Sequence, residues 1–180
     1  MKITSSSPSP CGARYMKNKG FTLVELLVTI SIVSVLSIII FADYRAGQKQ
    51  FSLQRSAHKL SQDIRGAQNM AMSAKEFQGT VPSGYGVYLT TAQPGQYILF
   101  ADLDGDKNYD ANEMVETLEF EEGIFINSLS PGNPLTVFFS PPDPTITIFP
   151  DASSALISLN FTGGSEKIIR INKAGLIGVE

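Results

Sequence analysis

Six oxygen-bearing side chains stand at positions 1, 3, 5, 7, 9 and 12 of a twelve-residue window: Asp102, Asp104, Asp106, Asn108, Asp110 and Glu113. That is the spacing by which an EF-hand loop wraps carboxylate and amide oxygens around Ca²⁺. Acids so close along the chain repel one another, and a bound divalent cation is their simplest neutraliser. Two features depart from the pattern. The sixth position, where the sharp turn normally takes Gly, is Lys107, with Gly105 two residues earlier, and the flanks read as strands instead of helices. The alternative is a solvated acidic hairpin loop whose Asp and Asn residues serve turn chemistry. Calcium at such a loop is expected to be held weakly, since an extracytoplasmic site need only respond to millimolar ion.

A second feature with chemical content is a lone carboxylate in an apolar setting. From Phe21 to Ala42 the chain reads FTLVELLVTISIVSVLSIIIFA, with Glu25 as its single charge and no Pro or Gly. As a helix the run covers about 33 Å, enough to span a hydrocarbon core. Lys17 and Lys19 precede it and no base falls inside, so the positive-inside rule puts the N-terminus in the cytoplasm and the remainder across the membrane. The end of the run, Ile38-Ile39-Ile40-Phe41-Ala42-Asp43, is a poor small-x-small cleavage site, so an ordinary secretory signal is disfavoured. An acid in a bilayer is costly enough that it usually has a partner or a function; a Glu close enough to the interface to snorkel is the alternative.

The block Lys17-Asn18-Lys19-Gly20 followed by Phe21-Thr22-Leu23-Val24-Glu25-Leu26-Leu27 resembles the prepilin signature of type IV pilins and type II secretion pseudopilins. The resemblance implies that prepilin peptidase cuts between Gly20 and Phe21 and N-methylates Phe21. It also implies that Glu25, fifth in the mature chain, pairs during assembly with the N-terminal amine of a neighbouring subunit. Met16-Lys17-Asn18-Lys19-Gly20 is a complete leader of that kind, so Met1 and Met16 are both compatible starts, with residues 1–15 then lying upstream of the leader. Many pilins carry a proline about twenty residues into the mature helix. This chain departs from that pattern, with Ala42 in that neighbourhood. Cys11, the only cysteine, lacks the preceding apolar stretch of a lipoprotein anchor and would leave with the leader.

Beyond Ala42 a helical period persists. Leu53, Ala57, Leu60, Ile64, Ala67, Ala71 and Ala74 alternate spacings of four and three, which places them on one face. Together with the apolar run this predicts a helix from about 21 to about 75, its upper half laid on a sheet. His58 sits beside the stripe with no ligand or nucleophile at useful spacing and reads as a surface histidine. Gly, Pro, Asn and Asp then punctuate β-rich segments at 85–91, 96–101, 113–120, 123–129, 135–140, 145–149, 155–162, 166–172 and 176–179. Pro94-Gly95 and Lys173-Ala174-Gly175 read as hairpin turns. Six prolines between Ser130 and Pro150 predict a loop with edge strands there, away from the sheet centre.

The fold class is therefore α+β: a long helix, its first half membrane-spanning, packed on an antiparallel β-rich head, which is similar to the pilin fold. The expected division is a leader over 1–20, a transmembrane half-helix over 21–42, an amphipathic half over 43–76 and a head over 77–180. The helix end at 68–73 and the C-terminal Ile-Arg-Ile-Asn-x-x-Gly ladder look most like H-type minor pseudopilins and FimT-like minor pilins.

Composition narrows the function classes. Of 180 residues, 43% are apolar and 17% charged, so a core can form and general disorder is excluded. Four of the 14 bases lie in the first 20 residues without an acid; residues 21–180 thus carry 14 − 4 = 10 bases against 17 acids, or −7. That balance disfavours DNA as a partner. FimT-like minor pilins can bind DNA through a basic C-terminal loop, and here Lys167, Arg170 and Lys173 lie beside Glu166 and Glu180. No G-x-S-x-G, H-E-x-x-H or Cys and His pair occurs, so the chain reads as a non-enzyme. The resemblance implies a structural subunit of a type II secretion pseudopilus or a type IV pilus, held in the bacterial inner membrane with its head in the periplasm. Its partners would be prepilin peptidase, other pilin or pseudopilin subunits and inner-membrane assembly proteins. Possible Ca²⁺ is the one cofactor.

Overall fold

The computed structural model describes residues 20–142, 146–162 and 164–180, with the backbone alone described for residues 42–46. The expected leader, apart from Gly20, lies outside the described residues, as do Met16 and Cys11. The chain divides into two compact units, Met1–Ala42 and Asp43–Glu180.

Helix α1 spans Leu23–Met72. It stops short of residue 75 because a Schellman turn closes it: Ala74 N–H donates to Ala71 O at 3.0 Å, and Lys75 N–H donates to Met70 O at 3.1 Å. Ala74 takes the left-handed position of that turn, with φ 46°. Leu53, Ala57, Leu60, Ile64, Ala67 and Ala71 are buried as their spacing requires. Ala74, expected as the seventh member of the stripe, is exposed because it lies past the helix end.

Among the described residues nine antiparallel strands follow: β1 (Gly84–Leu89), β2 (Gln96–Asp102), β3 (Met114–Glu119), β4 (Ile124–Ser130), β5 (Leu135–Phe139), β6 (Ile146–Phe149), β7 (Ser154–Phe161), β8 (Glu166–Asn172) and β9 (Ile177–Val179). They form two sheets, ordered β3-β2-β1-β5-β6 and β4-β7-β8-β9. With the helix preceding them, this is the α+β arrangement of a pilin fold. One buried cluster joins the helix stripe to Tyr85, Val87, Tyr97 and Val137 of the first sheet and to Ile126, Ile157 and Ile169 of the second. At about 25 cal/mol per Å² of apolar surface removed from water, this cluster is the main source of the head's stability.

The expectation of a loop with edge strands over 130–150 needs correction. β6 is an edge, but β5 lies inside the first sheet, pairing with β1 and β6, and all five of its residues are buried. Its sequence, LTVFF, contains no proline: Pro131, Pro134, Pro141 and Pro142 flank it and leave the ladder donors intact.

On the opposite face of the first sheet Phe100 and Phe138 stack with ring centroids 6.2 Å apart. β1 admits these rings because it carries Gly84 and Gly86. A Cβ at Gly86 would lie 2.4 Å from the Phe100 ring, and one at Gly84 would lie 2.3 Å from the Phe138 ring. Helix cations tie down the outer strands of both sheets. Lys59 Nζ donates to Glu119 O of β3 at 3.1 Å, and Arg65 Nη2 donates to Ile177 O of β9 at 2.9 Å. Arg55 grips both Glu121 carboxylate oxygens at 2.8 and 2.7 Å, holding that carboxyl below its usual range chiefly through these hydrogen bonds.

Candidate processing and assembly site

Gly20 and Phe21 precede the helix and are exposed, Phe21 to 84%. The helix starts where it does because Thr22 and Glu25 cap it. Glu25 N–H donates to Thr22 Oγ1 at 3.2 Å, while Thr22 N–H and Thr22 Oγ1 both donate to Glu25 Oε2, at 3.1 and 3.0 Å. This reciprocal exchange between the N-cap Thr and the third helical residue is a capping box. It leaves Gly20 and Phe21 just outside the helix. The sequence reading assigned Glu25 a partner in another subunit and overlooked Thr22. The missed signal was Thr-x-x-Glu directly before an apolar run.

Behind the cap, Leu23–Phe41 is long and apolar enough to cross a membrane, and no part of that window is covered by the protein's own fold. Its hydroxyls solve the problem of polar groups in hydrocarbon locally. Thr29 donates to Leu26 O at 2.9 Å, Ser31 to Leu27 O at 2.8 Å, Ser34 to Ile30 O at 2.7 Å and Ser37 to Val33 O at 2.7 Å.

Residues 15–41 match the prokaryotic N-terminal methylation motif. That motif is type IV prepilin-like: it indicates processing by prepilin peptidase, points to a structural subunit and suggests anchoring through the apolar helix. No curated protein and no solved structure matches the chain.

The acidic loop lies between β2 and β3. Asp102, Asp104 and Asp106 each bring a carboxylate oxygen to within 4.8 Å of the other two, a geometry open to a hard cation. Asn108 and Asp110 are exposed on the rest of the loop. Glu113 is buried within a 3₁₀ turn over Ala111–Glu113, and its carboxylate accepts from Leu103 N–H at 2.7 Å and Asp110 N–H at 3.3 Å. Asp102, also buried, accepts from Gly105 N–H at 2.7 Å, from Lys107 N–H at 3.2 Å and from the Ser83 hydroxyl. The loop is thus closed by its own backbone donors. Lys107 takes φ 65°, the left-handed conformation for which an EF-hand places Gly at the same position. Tyr109 fixes the loop to the sheet, its ring 5.1 Å from Tyr88 and 5.9 Å from Phe100.

The three C-terminal cations sit on or next to β8. Arg170 Nε pairs with Glu180 at 3.0 Å, and this hydrogen-bonded pair raises the guanidinium's pKa and lowers the carboxyl's. Lys173 Nζ pairs with Asp151 at 2.7 Å, and Lys167 is half-buried. With two of the three beside carboxylates of the same chain, the region offers little positive potential to a phosphate backbone.

Proposed function

We propose that this chain is a minor pilin or pseudopilin of the H-type or FimT-like kind. It is a structural subunit that waits in the bacterial inner membrane with its N-terminus cytoplasmic and its head periplasmic. Prepilin peptidase removes a leader ending at Gly20 and methylates Phe21. The membrane half-helix over 21–42 then leaves the bilayer to join the core of a type II secretion pseudopilus or a type IV pilus. There the apolar side chains are buried by neighbouring helices, while the amphipathic half over 43–76 and the head over 77–180 face outward. DNA binding forms no part of the proposal, given the paired cations at the C-terminus.

The observation that carries this reading is the methylation motif over 15–41 on an apolar helix whose capped start exposes the Gly20–Phe21 bond. The cap also gives Glu25 a resting partner. In the membrane monomer the carboxylate is held by Thr22; on assembly it meets the amine of the neighbouring subunit, a charge-assisted bond that is stronger in the low-dielectric filament core. Placing a bulky residue at the cut tests the reading. Gly20→Leu should accumulate as uncut precursor in the membrane and be missing from filaments. Normal processing of that variant would contradict cleavage at this bond.

A further inference from the structure

Glycine in a helix interior is destabilising relative to alanine, and where one is kept the usual reason is that something must come close to the backbone. On β1 that something is visible: the rings of Phe138 and Phe100 fill the space that a Cβ at Gly84 or Gly86 would take. Gly47, inside α1, has no such neighbour. Among the described residues a Cβ there would meet nothing within 4 Å. Gly66 is open in the same way, but Met70, one turn beyond it, packs against the head's own core. One turn beyond Gly47 stands Phe51, 66% exposed. Phe51 lies two residues before the buried Leu53, about 200° round the helix, so it points away from the sheets. Gly47, Phe51 and Arg55 line one open groove on this face, and Phe51, Gln54, Arg55 and His58 line a second.

A space and a ring one turn apart on the same helix face match a second copy of that helix. We propose that Phe51 of one copy seats over Gly47 of the next, in parallel α1 helices offset by one turn, about 6 Å. The inference rests on the filament reading above, in which the apolar run Leu23–Phe41, uncovered by the protein's own fold, is buried by neighbouring helices. Gly47 and Phe51 follow that run on the same helix, so the contact continues along it. The membrane anchor points every copy the same way, which makes the helices parallel, and the missing Cβ lets the ring reach the backbone. Charge plays no part: Arg55, on the rim of both grooves, is held by Glu121 of its own chain. The contact is heterologous. Each pair keeps one unused ring and one unused glycine, so pairing extends along a row instead of closing as a symmetric dimer.

The test uses full-length chains with Cys11→Ser, co-expressed in a host with an active prepilin peptidase and oxidised in whole cells. One chain carries His58→Cys, and a second with a different tag carries Gln54→Cys, because an offset of one turn brings His58 of one copy opposite Gln54 of the next. The contact predicts a disulfide-linked heterodimer in about fivefold excess over either homodimer, against the roughly twofold of random pairing. Gly47→Leu in both chains should remove that excess. Because Leu favours helix and its Cβ meets open space, the same substitution should leave the melting temperature of the extracted chain unchanged or higher. Phe51→Ser, at an exposed position, should also remove the excess. A heterodimer no more abundant than random pairing gives would overturn the proposal, as would an excess that survives Gly47→Leu. Shearing and immunoblotting of the same cells score the filament reading separately: incorporation without the excess refutes the contact alone, and chains absent from filaments refute the reading on which it rests.

Discussion

Glu25 Oε2 accepts hydrogen bonds from both the backbone N–H and the hydroxyl of Thr22, at 3.1 and 3.0 Å, so the single acid of the apolar helix is satisfied by the residue that starts that helix. A monomer can therefore hold a carboxylate at the edge of a bilayer without a second subunit. It can also release that carboxylate at modest cost, since an N-cap is worth about 1 kcal/mol. Glu25→Val should leave the head's melting temperature unchanged and reduce incorporation of the full-length chain into filaments, as read by shearing and immunoblotting. Normal incorporation would count against an amine partner for Glu25.

Tyr97, buried on β2, donates its hydroxyl to Asp63 of α1 at 2.5 Å. Burial first, and then the bond to Asp63, push the phenol well above its ordinary value of 10.0. A group whose folded pKa is raised stabilises fully below its unfolded pKa, and that contribution fades as pH climbs past it. The head should accordingly lose stability above about pH 10, and Tyr97→Phe should flatten that alkaline slope. At neutral pH the same substitution leaves Asp63 without this donor and should cost about 1 to 2 kcal/mol in a urea titration.

Ala74 occupies a left-handed turn position, φ 46°, that ordinarily belongs to glycine, and it is exposed. Ala74→Gly removes the Cβ strain without removing a buried contact. It should stabilise the head by about 0.5 to 1 kcal/mol, against the usual sign for glycine near a helix. A loss of stability would mean that the turn is not held as described.

For the acidic loop, the backbone donors on Asp102 and Glu113 imply that the head folds without metal, and we propose that the converging Asp102, Asp104 and Asp106 bind Ca²⁺ weakly. Several millimolar Ca²⁺ should raise the melting temperature by a few degrees, and Asp104→Asn with Asp106→Asn should abolish the rise. No heat of binding in calorimetry and no rise in melting temperature would leave the loop a turn and nothing more.

Much of this was legible in the sequence because the deciding signals are local. The four-three spacing from Leu53 to Ala71 gives the buried helix face without any knowledge of what covers it, and turn residues bracket each of the nine strands. Neighbour relations were not legible. Nothing in the alternation of β5 says that it sits between β1 and β6, and its proline-rich flanks suggested an edge. The division into two sheets likewise depends on pairing such as Ile124 with Phe161, which no local pattern encodes. In the acidic loop, spacing identified the residues but missed how the buried pair, Asp102 and Glu113, is claimed by backbone donors, because that follows from the path of the turn. The Thr22 cap was legible in principle and was masked by the apolar run behind it.

The most direct test of the central claim is the intact mass of the protein extracted from membranes of a host with an active prepilin peptidase. The account predicts a mature chain that begins at Phe21 and carries one added methyl group. A chain that keeps residues N-terminal to Phe21, or one that begins after Ala42 as a secretory signal would leave it, would contradict the account.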